Sequence, residues 1–304
     1  MRICSLLPSA TEIAFALGLG DEVVGVTHEC DYPPEAKKRR IVVRSVIDPD
    51  QCSSREIDSV VREHLHAKKS LYTIDLLSFQ QANPDFILTQ DLCDVCALDY
   101  NEVVEAALSL ARKPKTISLA PARLSDVLRD IEIVGEAVGR RTDAETLVRQ
   151  LKQRIESVRK RTSSSDLRPG VACLEWLEPI YNAGHWVPEM VDLAGGLDGL
   201  GEKGKPSKEI GWAAVRAFAP QVVVLMACGF DIQRTLSETT PLHRLEGWSE
   251  LPAVKDGKVF AVNGSAYFNR SGPRLIDGLE ILAQIIHPEI FPWRAPLEAA
   301  QRLA

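Results

Sequence analysis

Between residues 142 and 161 the chain carries one uninterrupted amphipathic helix pattern, and a strand–helix alternation runs up to it and restarts after it. Thr142-Asp-Ala-Glu145 has the form of a capping box, in which hydroxyl and carboxylate satisfy free backbone donors reciprocally. Ala144, Leu147, Leu151, Ile155 and Val158 then fall on one narrow face, as expected of a helix packed along a single stripe. A helix of roughly 20 residues spans about 30 Å. Before it, strands are expected at 3–7, 23–26, 41–43, 86–89 and 116–119, with helices opened by Ser9-Ala-Thr-Glu12 and Ser53-Ser-Arg-Glu56 and others at 101–111 and 124–138. After the polar joint Thr162-Ser-Ser-Ser-Asp166, strands are expected at 171–174, 222–226 and 259–262. The intervening helices fall at 187–193, 212–218, 232–245 and 273–286. Such alternation predicts parallel sheets covered on both faces. The fold class is therefore α/β, with two lobes bridged by one long helix and a ligand cleft between the lobes as the default site.

The boundaries that follow are an amino-terminal lobe at 1–140, the bridging helix and joint at 141–165, a carboxyl-terminal lobe at 166–288, and a Pro-rich tail at 289–304 marked by Pro292 and Pro296. With 304 residues, 45% hydrophobic and 26% charged, the chain has the make-up of a packed globular protein rather than a disordered one. The net charge of −6 argues against nucleic acid, whose binders usually present a basic surface. Apolar runs such as 222–228 are far short of the roughly 20 residues a membrane helix needs. No Gly-rich phosphate loop and no Gly-x-Ser-x-Gly elbow is present, which weakens nucleotide and acyl-transfer chemistry.

The chain has seven cysteines, too sparse for a secreted disulfide framework. The amino terminus, Met1-Arg-Ile-Cys-Ser-Leu-Leu-Pro8, reads as a strand that begins at once rather than a signal peptide. Together these predict a reducing compartment and a cytoplasmic location, the alternative being periplasmic if a leader is removed. Thr89-Gln-Asp-Leu-Cys-Asp-Val-Cys96 and Thr27-His-Glu-Cys-Asp-Tyr32 each follow an expected strand, at the strand ends where α/β sheets bind ligands. His28, Cys30, Cys93 and Cys96 would offer a soft set of the kind zinc or an iron–sulfur cluster uses. The same thiols also read as small buried hydrophobes. A redox pair is a third reading, blunted by the neighbouring Asp91 and Asp94, which raise a thiol pKa.

In the second half, polar and aromatic loops follow the strands: Glu175-Trp176, Tyr181, Gly184-His-Trp186, Gly229-Phe230 and Ala266-Tyr-Phe-Asn-Arg270. Trp176, Tyr181, His185, Trp186, Phe230, Tyr267, Phe268 and Arg270, with Gln90 from the first half, suit a large, flat, partly apolar ligand with anionic or amide edges. Each aromatic has a competing role covering a sheet end, His185 one as a hydrogen-bonded structural residue, and Arg270 one as a partner of Asp277. Glu175, Asp91 and Asp94 could do proton work in a closed site, but nothing in the sequence pairs them with a nucleophile, so no enzyme is expected.

Leu6-Leu-Pro-Ser-Ala-Thr-Glu-Ile, Asp31-Tyr-Pro-Pro-Glu, Asn83-Pro-Asp-Phe-Ile-Leu, the stretch 179–184 and the stretch 265–273 occur in one order over most of residues 1–288. Together they resemble the siderophore- and B12-type substrate-binding proteins of ABC importers. The resemblance implies two Rossmann-like lobes bridged by one rigid helix, and a corrinoid held edge-on between them. By motif it implies Pro8 and Tyr32 on the first lobe, and Tyr181, His185, Trp186, Phe268 and Arg270 on the second. His185, Cys93 or Cys96 could then ligate the metal of the ligand from one axial face. Importers of this kind dock on a permease through one exposed Glu per lobe. Those positions fall near Leu77 and Ala213 here, with Glu56 and Glu209 nearby, so ligand binding carries over better than transport.

The expected function is thus a non-catalytic binding protein for a cobalamin-like corrinoid or similar tetrapyrrole or metal chelate, with no resident cofactor required. Its partners would be a small-molecule ligand and an ABC permease. The alternative is a zinc- or iron–sulfur-binding protein or enzyme on the same fold, using Cys30, Cys93 and Cys96.

Overall fold

A computed structural model of the chain describes residues 1–90, 100–110 and 112–303. Its first sheet is built from β1 (Ile3–Ser5), β2 (Val23–Thr27), β3 (Ile41–Ser45), β4 (Tyr72–Ile74), β5 (Phe86–Gln90) and β6 (Lys115–Leu119). The strand order is β4-β3-β2-β1-β5-β6. Every pairing is parallel except β3 with β4. The accompanying helices are α1 (Pro8–Ala16), α2 (Ser54–His66), α3 (Leu76–Ala82), α4 (Tyr100–Leu108) and α5 (Leu124–Ala137). The centre of this sheet is apolar because both its faces are covered. Ile3 and Cys4 on β1, Val42 on β3 and Ile87 on β5 have no exposed surface, and Phe79 of α3 packs in one cluster with Cys4, Val42 and Ile87. Burial pushes the Cys4 thiol up to about 12, so this thiol behaves as a packing group. Gly25 lets β2 approach it: a Cβ there would sit 2.6 Å from the Cys4 sulfur.

Helix α6 (Arg141–Thr162) follows. The second sheet contains β7 (Gly170–Leu177), β8 (Ile180–Asn182), β9 (Leu197–Asp198), β10 (Val222–Leu225), β11 (Val259–Val262) and β12 (Ala300–Arg302). The order is β12-β11-β10-β7-β8, with β9 pairing β7. Its helices are α7 (Val187–Leu193), α8 (Trp212–Phe218), α9 (Ile232–Ser237), α10 (Thr240–His243), α11 (Pro252–Lys255), α12 (Gly264–Tyr267) and α13 (Leu275–Ile286). Ala172, Leu174, Val223 and Leu225 are completely buried in the second core, beside Trp248 and Val259. Each buried Val or Leu contributes roughly 1.5–3 kcal/mol.

The chain divides into two compact units, the first comprising Met1–Pro121, Ser125–Val148 and Ser271–Pro273, and the second Ala122–Leu124, Arg149–Arg270 and Arg274–Ala304. Helix α6 supplies residues to each. In the first unit Ala144 and Val148 are buried, and in the second Leu151 and Val158. Within the second unit Arg154 of α6 donates to Asp277 at 2.6 Å and to both carboxylate oxygens of Glu280 at 2.9 and 2.7 Å on α13.

Several local expectations change. Helix α1 begins at Pro8, with Leu7 as N-cap and no side-chain cap. A proline at the first helical position is pre-set in φ and lacks the donor a cap would satisfy. Ser9 and Glu12 are therefore buried helix residues, not a capping box. Thr142 is likewise already inside α6, whereas the Ser53–Glu56 box forms as expected. The helix expected over 232–245 is two short ones, because Pro241 starts α10 afresh. The tail is not wholly irregular: β12 pairs antiparallel with β11.

Candidate functional site

The carboxyl ends of the parallel strands are where α/β sheets present ligand-binding loops. In the first unit β1 leads to Pro8, half-buried at the start of α1, and β2 leads to residues 28–33. Tyr32 is 44% exposed there. Gln90 ends β5 and is buried. Beneath these loops lies a buried polar cluster. The Thr11 hydroxyl is 2.8 Å from Ser5 Oγ and 3.1 Å from Cys30 Sγ, and Thr27 Oγ1 is 3.3 Å from the same sulfur. Ser271 adds a hydrogen bond to Ser9 at 3.3 Å.

The metal reading finds no support in this cluster. Cys30 is engaged with two hydroxyls, and His28 packs its ring 6.4 Å from that of Tyr72. Among the described residues no three His, Cys, Asp or Glu side chains are placed to hold a metal ion. Cys93 and Cys96, with Asp91 and Asp94, lie outside the described residues.

In the second unit β7 and β8 form a hairpin in which Trp176 opposes Tyr181. Trp176 is half-buried, its ring centroid 5.1 Å from that of Phe230. The Arg234 guanidinium covers Phe230 at 4.9 Å. Phe230 thus meets a tilted indole and a guanidinium near the ends of β7 and β10, the second contact favourable because a cation sits over an aromatic face. Phe230 immediately precedes Asp231, the N-cap of α9, and Arg234 lies in the first turn of that helix. No sequence motif marks Arg234 as part of this site.

The hairpin is clamped from its outer side by residues 204–209. Asn182 N–H donates to the Lys208 carbonyl, His185 N–H to the Lys205 carbonyl at 2.5 Å, and Gly204 N–H to the His185 carbonyl at 2.8 Å. Tyr181 and Glu209 form a bridge in the same ribbon. The clamp needs Gly184, where a Cβ would collide with Ser207 N and lie 2.6 Å from the Pro206 carbonyl carbon. This segment reads from sequence only as a polar loop, because its pairing is backbone to backbone.

Glu175 is the chemically distinctive group. Its carboxyl accepts from Gly184 N–H at 3.2 Å. Burial pushes it up to about 7, against the pull of that bond and of one from the Ser207 hydroxyl. Burial also holds the His185 imidazole below its ordinary value, so the ring is neutral at neutral pH.

Three of the aromatic candidates are framework residues. Phe268 is 1% exposed, Phe230 4% and Trp186 6%. Trp186 Nε1–H donates to the Phe268 carbonyl at 2.7 Å, so these rings hold the loops from inside rather than presenting a surface. Trp176, Tyr181, His185, Tyr267 and Arg270 are half-buried. The Arg274 guanidinium lies 5.7 Å from the Tyr267 ring. Asp277, considered as a partner of Arg270, accepts a hydrogen bond from Arg154.

Residues 3–266 match the periplasmic binding protein family. The chain belongs to that family. Membership makes it a substrate-binding protein and not an enzyme. It is 28% identical over 296 residues to an uncharacterized ABC transporter substrate-binding lipoprotein of Bacillus subtilis (strain 168), covering 95% of this chain and 81% of that protein. It is 26% identical over 284 residues to the vitamin B12-binding protein of Vibrio cholerae serotype O1, covering 92% of this chain and 86% of that protein. Among solved structures, a periplasmic heme-binding protein of Roseiflexus sp. RS-1 in apo form superposes with a TM-score of 0.70 at 22% identity, covering 95% and 98% of the two chains. That likeness establishes the two-lobe α/β fold.

The cytoplasmic location expected from the thiols is not supported by a family named for the periplasm or by a lipoprotein relative. Cysteine content is uninformative here for a physical reason: Cys4, Cys30 and Cys173 are buried, where a thiol packs as a small apolar group in either compartment. Among the described residues no helix is long and apolar enough to cross a membrane.

Proposed function

We propose that this family member binds a cobalamin-like corrinoid, or a closely related metal tetrapyrrole, outside the cytoplasm and delivers it to an ABC permease. The observation that carries the reading is the set of half-buried aromatic and cationic side chains at the strand ends of the second unit. Trp176, Tyr181, His185, Tyr267 and Arg270 suit a broad, flat ligand with polar edges. Similarity to vitamin B12-binding proteins over nearly the whole chain supports the corrinoid, and heme-binding structural neighbours keep the second tetrapyrrole in view. Pro8 and Tyr32 supply the corresponding apolar loops of the first unit.

The test is calorimetric titration of the reduced protein with hydroxocobalamin and, separately, with hemin. A 1:1 heat of micromolar affinity or better with hydroxocobalamin, about −8 kcal/mol, supports the corrinoid. Saturation by hemin alone moves the assignment to heme, and no heat with either rejects the tetrapyrrole reading. Membrane fractionation and co-purification with a permease then test delivery.

A further inference from the structure

Four described residues other than glycine adopt a left-handed backbone: Lys68, Asn83, Ala219 and His185. The first three end helices α2, α3 and α8, where a left-handed residue is an ordinary stop. His185 does not. It lies between β8 and α7 with φ of 51°, and the turn is held there by the paired bonds to Lys205 and Gly204. Glycine would make this turn without steric cost, and asparagine with little. The backbone turn therefore does not require an imidazole at this position, so its presence points to a role for the ring.

The ring is suited to one. It is half-buried, and among the described residues neither ring nitrogen has a hydrogen-bond partner or is buried without one. It packs beside Trp186 at 5.5 Å, whose own nitrogen is fixed on the Phe268 carbonyl. The backbone beneath is fixed by the bond from Gly184 to Glu175. A rigidly mounted neutral imidazole with an accessible lone pair is a good donor to Co(III) or Fe(III).

We propose that His185 ligates the metal at the centre of the bound chelate. This rests on the tetrapyrrole reading above, and deepens it: the preferred cargo is a metal chelate with an exchangeable axial position. Ligation is a simple exchange in which the imidazole nitrogen's lone pair replaces a bound water, with no change in oxidation state.

The experiment is a visible-absorption titration with diaquocobinamide, a corrin whose two axial ligands are both exchangeable water. Wild type, His185→Gly and His185→Asn are compared. Both substitutions suit the left-handed turn, so melting temperatures equal to or above wild type are expected and a folding defect is controlled for. The wild type shifts the corrin bands on binding. The variants bind at least about tenfold more weakly, on the scale of losing a metal-site partner, and without the shift. Free imidazole restores the shift in His185→Gly. Binding by the wild type with no spectral change overturns the ligation while leaving the tetrapyrrole reading intact. A shift that persists in both variants overturns it by assigning the ligand elsewhere. No binding of cobinamide by the wild type also overturns it, and the hydroxocobalamin and hemin titrations then decide whether the broader reading falls with it.

Discussion

The indole nitrogen of Trp186 donates a 2.7 Å hydrogen bond to the carbonyl of Phe268, eighty-two residues away, with both residues buried. That bond joins the turn before α7 to the C-cap of α12. Trp186→Phe keeps most of the apolar volume and leaves a buried carbonyl unpaired, at a cost of about 1–3 kcal/mol. The melting temperature should fall by several degrees. Because Tyr267 and Arg270 flank the anchored carbonyl, tetrapyrrole affinity should fall as well. Calorimetry with and without ligand checks both. An unchanged affinity would show that the anchor serves the fold alone.

Glu175 sets a pH dependence whose sign follows from its environment. Its folded value, about 7, lies above the ordinary 4.5 because burial disfavours the charge. The folded state therefore holds the proton more tightly. The stabilisation is complete below pH 4.5 and is lost as pH rises to about 7. Glu175→Gln removes the titration and keeps an acceptor for Gly184. The variant should gain on wild type across that window, by at most about 3 kcal/mol above it. Asp130, also raised to about 7, shifts both proteins alike and cancels. Melting curves of the pair from pH 4 to 8 are the measurement, and a difference independent of pH would refute the assignment.

Cys30 is the hub of the hydroxyl cluster under the Pro8 and Tyr32 loops. Serine can replace the sulfur between Thr11 and Thr27, and alanine cannot. Cys30→Ala should cost about 1–3 kcal/mol by leaving buried hydroxyls short of a partner, and Cys30→Ser less. Added zinc or a chelator should shift the melting temperature of neither wild type nor variant. A zinc-dependent rise seen only with Cys30 intact would restore a metal site.

The Arg154 fork is half-exposed, which limits its worth. Its geometry is nevertheless bidentate on Glu280 with a third bond to Asp277, and lysine cannot reproduce that. Arg154→Lys should therefore behave nearly like Arg154→Ala, each losing about 1 kcal/mol, with the loss shrinking at high salt. Denaturant titration at two salt concentrations resolves it.

How far the sequence could be read varies by element. Central strands such as β1, β5 and β10 are apolar runs buried on both faces, and their pattern survives any local detail. Helix α1 starts earlier than the Ser9 box suggests because Pro8 takes the first helical position. β12 exists only because β11 offers an edge, so no local pattern in Ala300-Gln-Arg302 announces it. At the site, the loops were legible because they follow strands. Which rings point outward was not: Phe268 and Tyr267 are adjacent in sequence, yet one is 1% exposed and the other half-buried. The left-handed turn at His185 had no signal either, since the residue types that announce such a turn are glycine and asparagine.

Gly184 gives the sharpest test of the clamp on the second unit. It lacks a side chain because residues 205–207 pass directly over it, and the nearest obstacles are backbone atoms that cannot rotate away. Gly184→Ala must push the ribbon outward. That breaks the bond from His185 to Lys205 and withdraws the Ser207 hydroxyl and Gly184 N–H from Glu175. With both hydrogen bonds weakened, burial acts unopposed and the Glu175 value rises further. The variant should lose several kcal/mol, in the range of overpacking plus lost buried hydrogen bonds. Its pH-dependent loss of stability should also extend above pH 7. Adding Glu175→Gln to Gly184→Ala should abolish the shifted pH dependence while leaving the steric loss. If the double variant keeps the shift, Glu175 is not the group that the clamp controls.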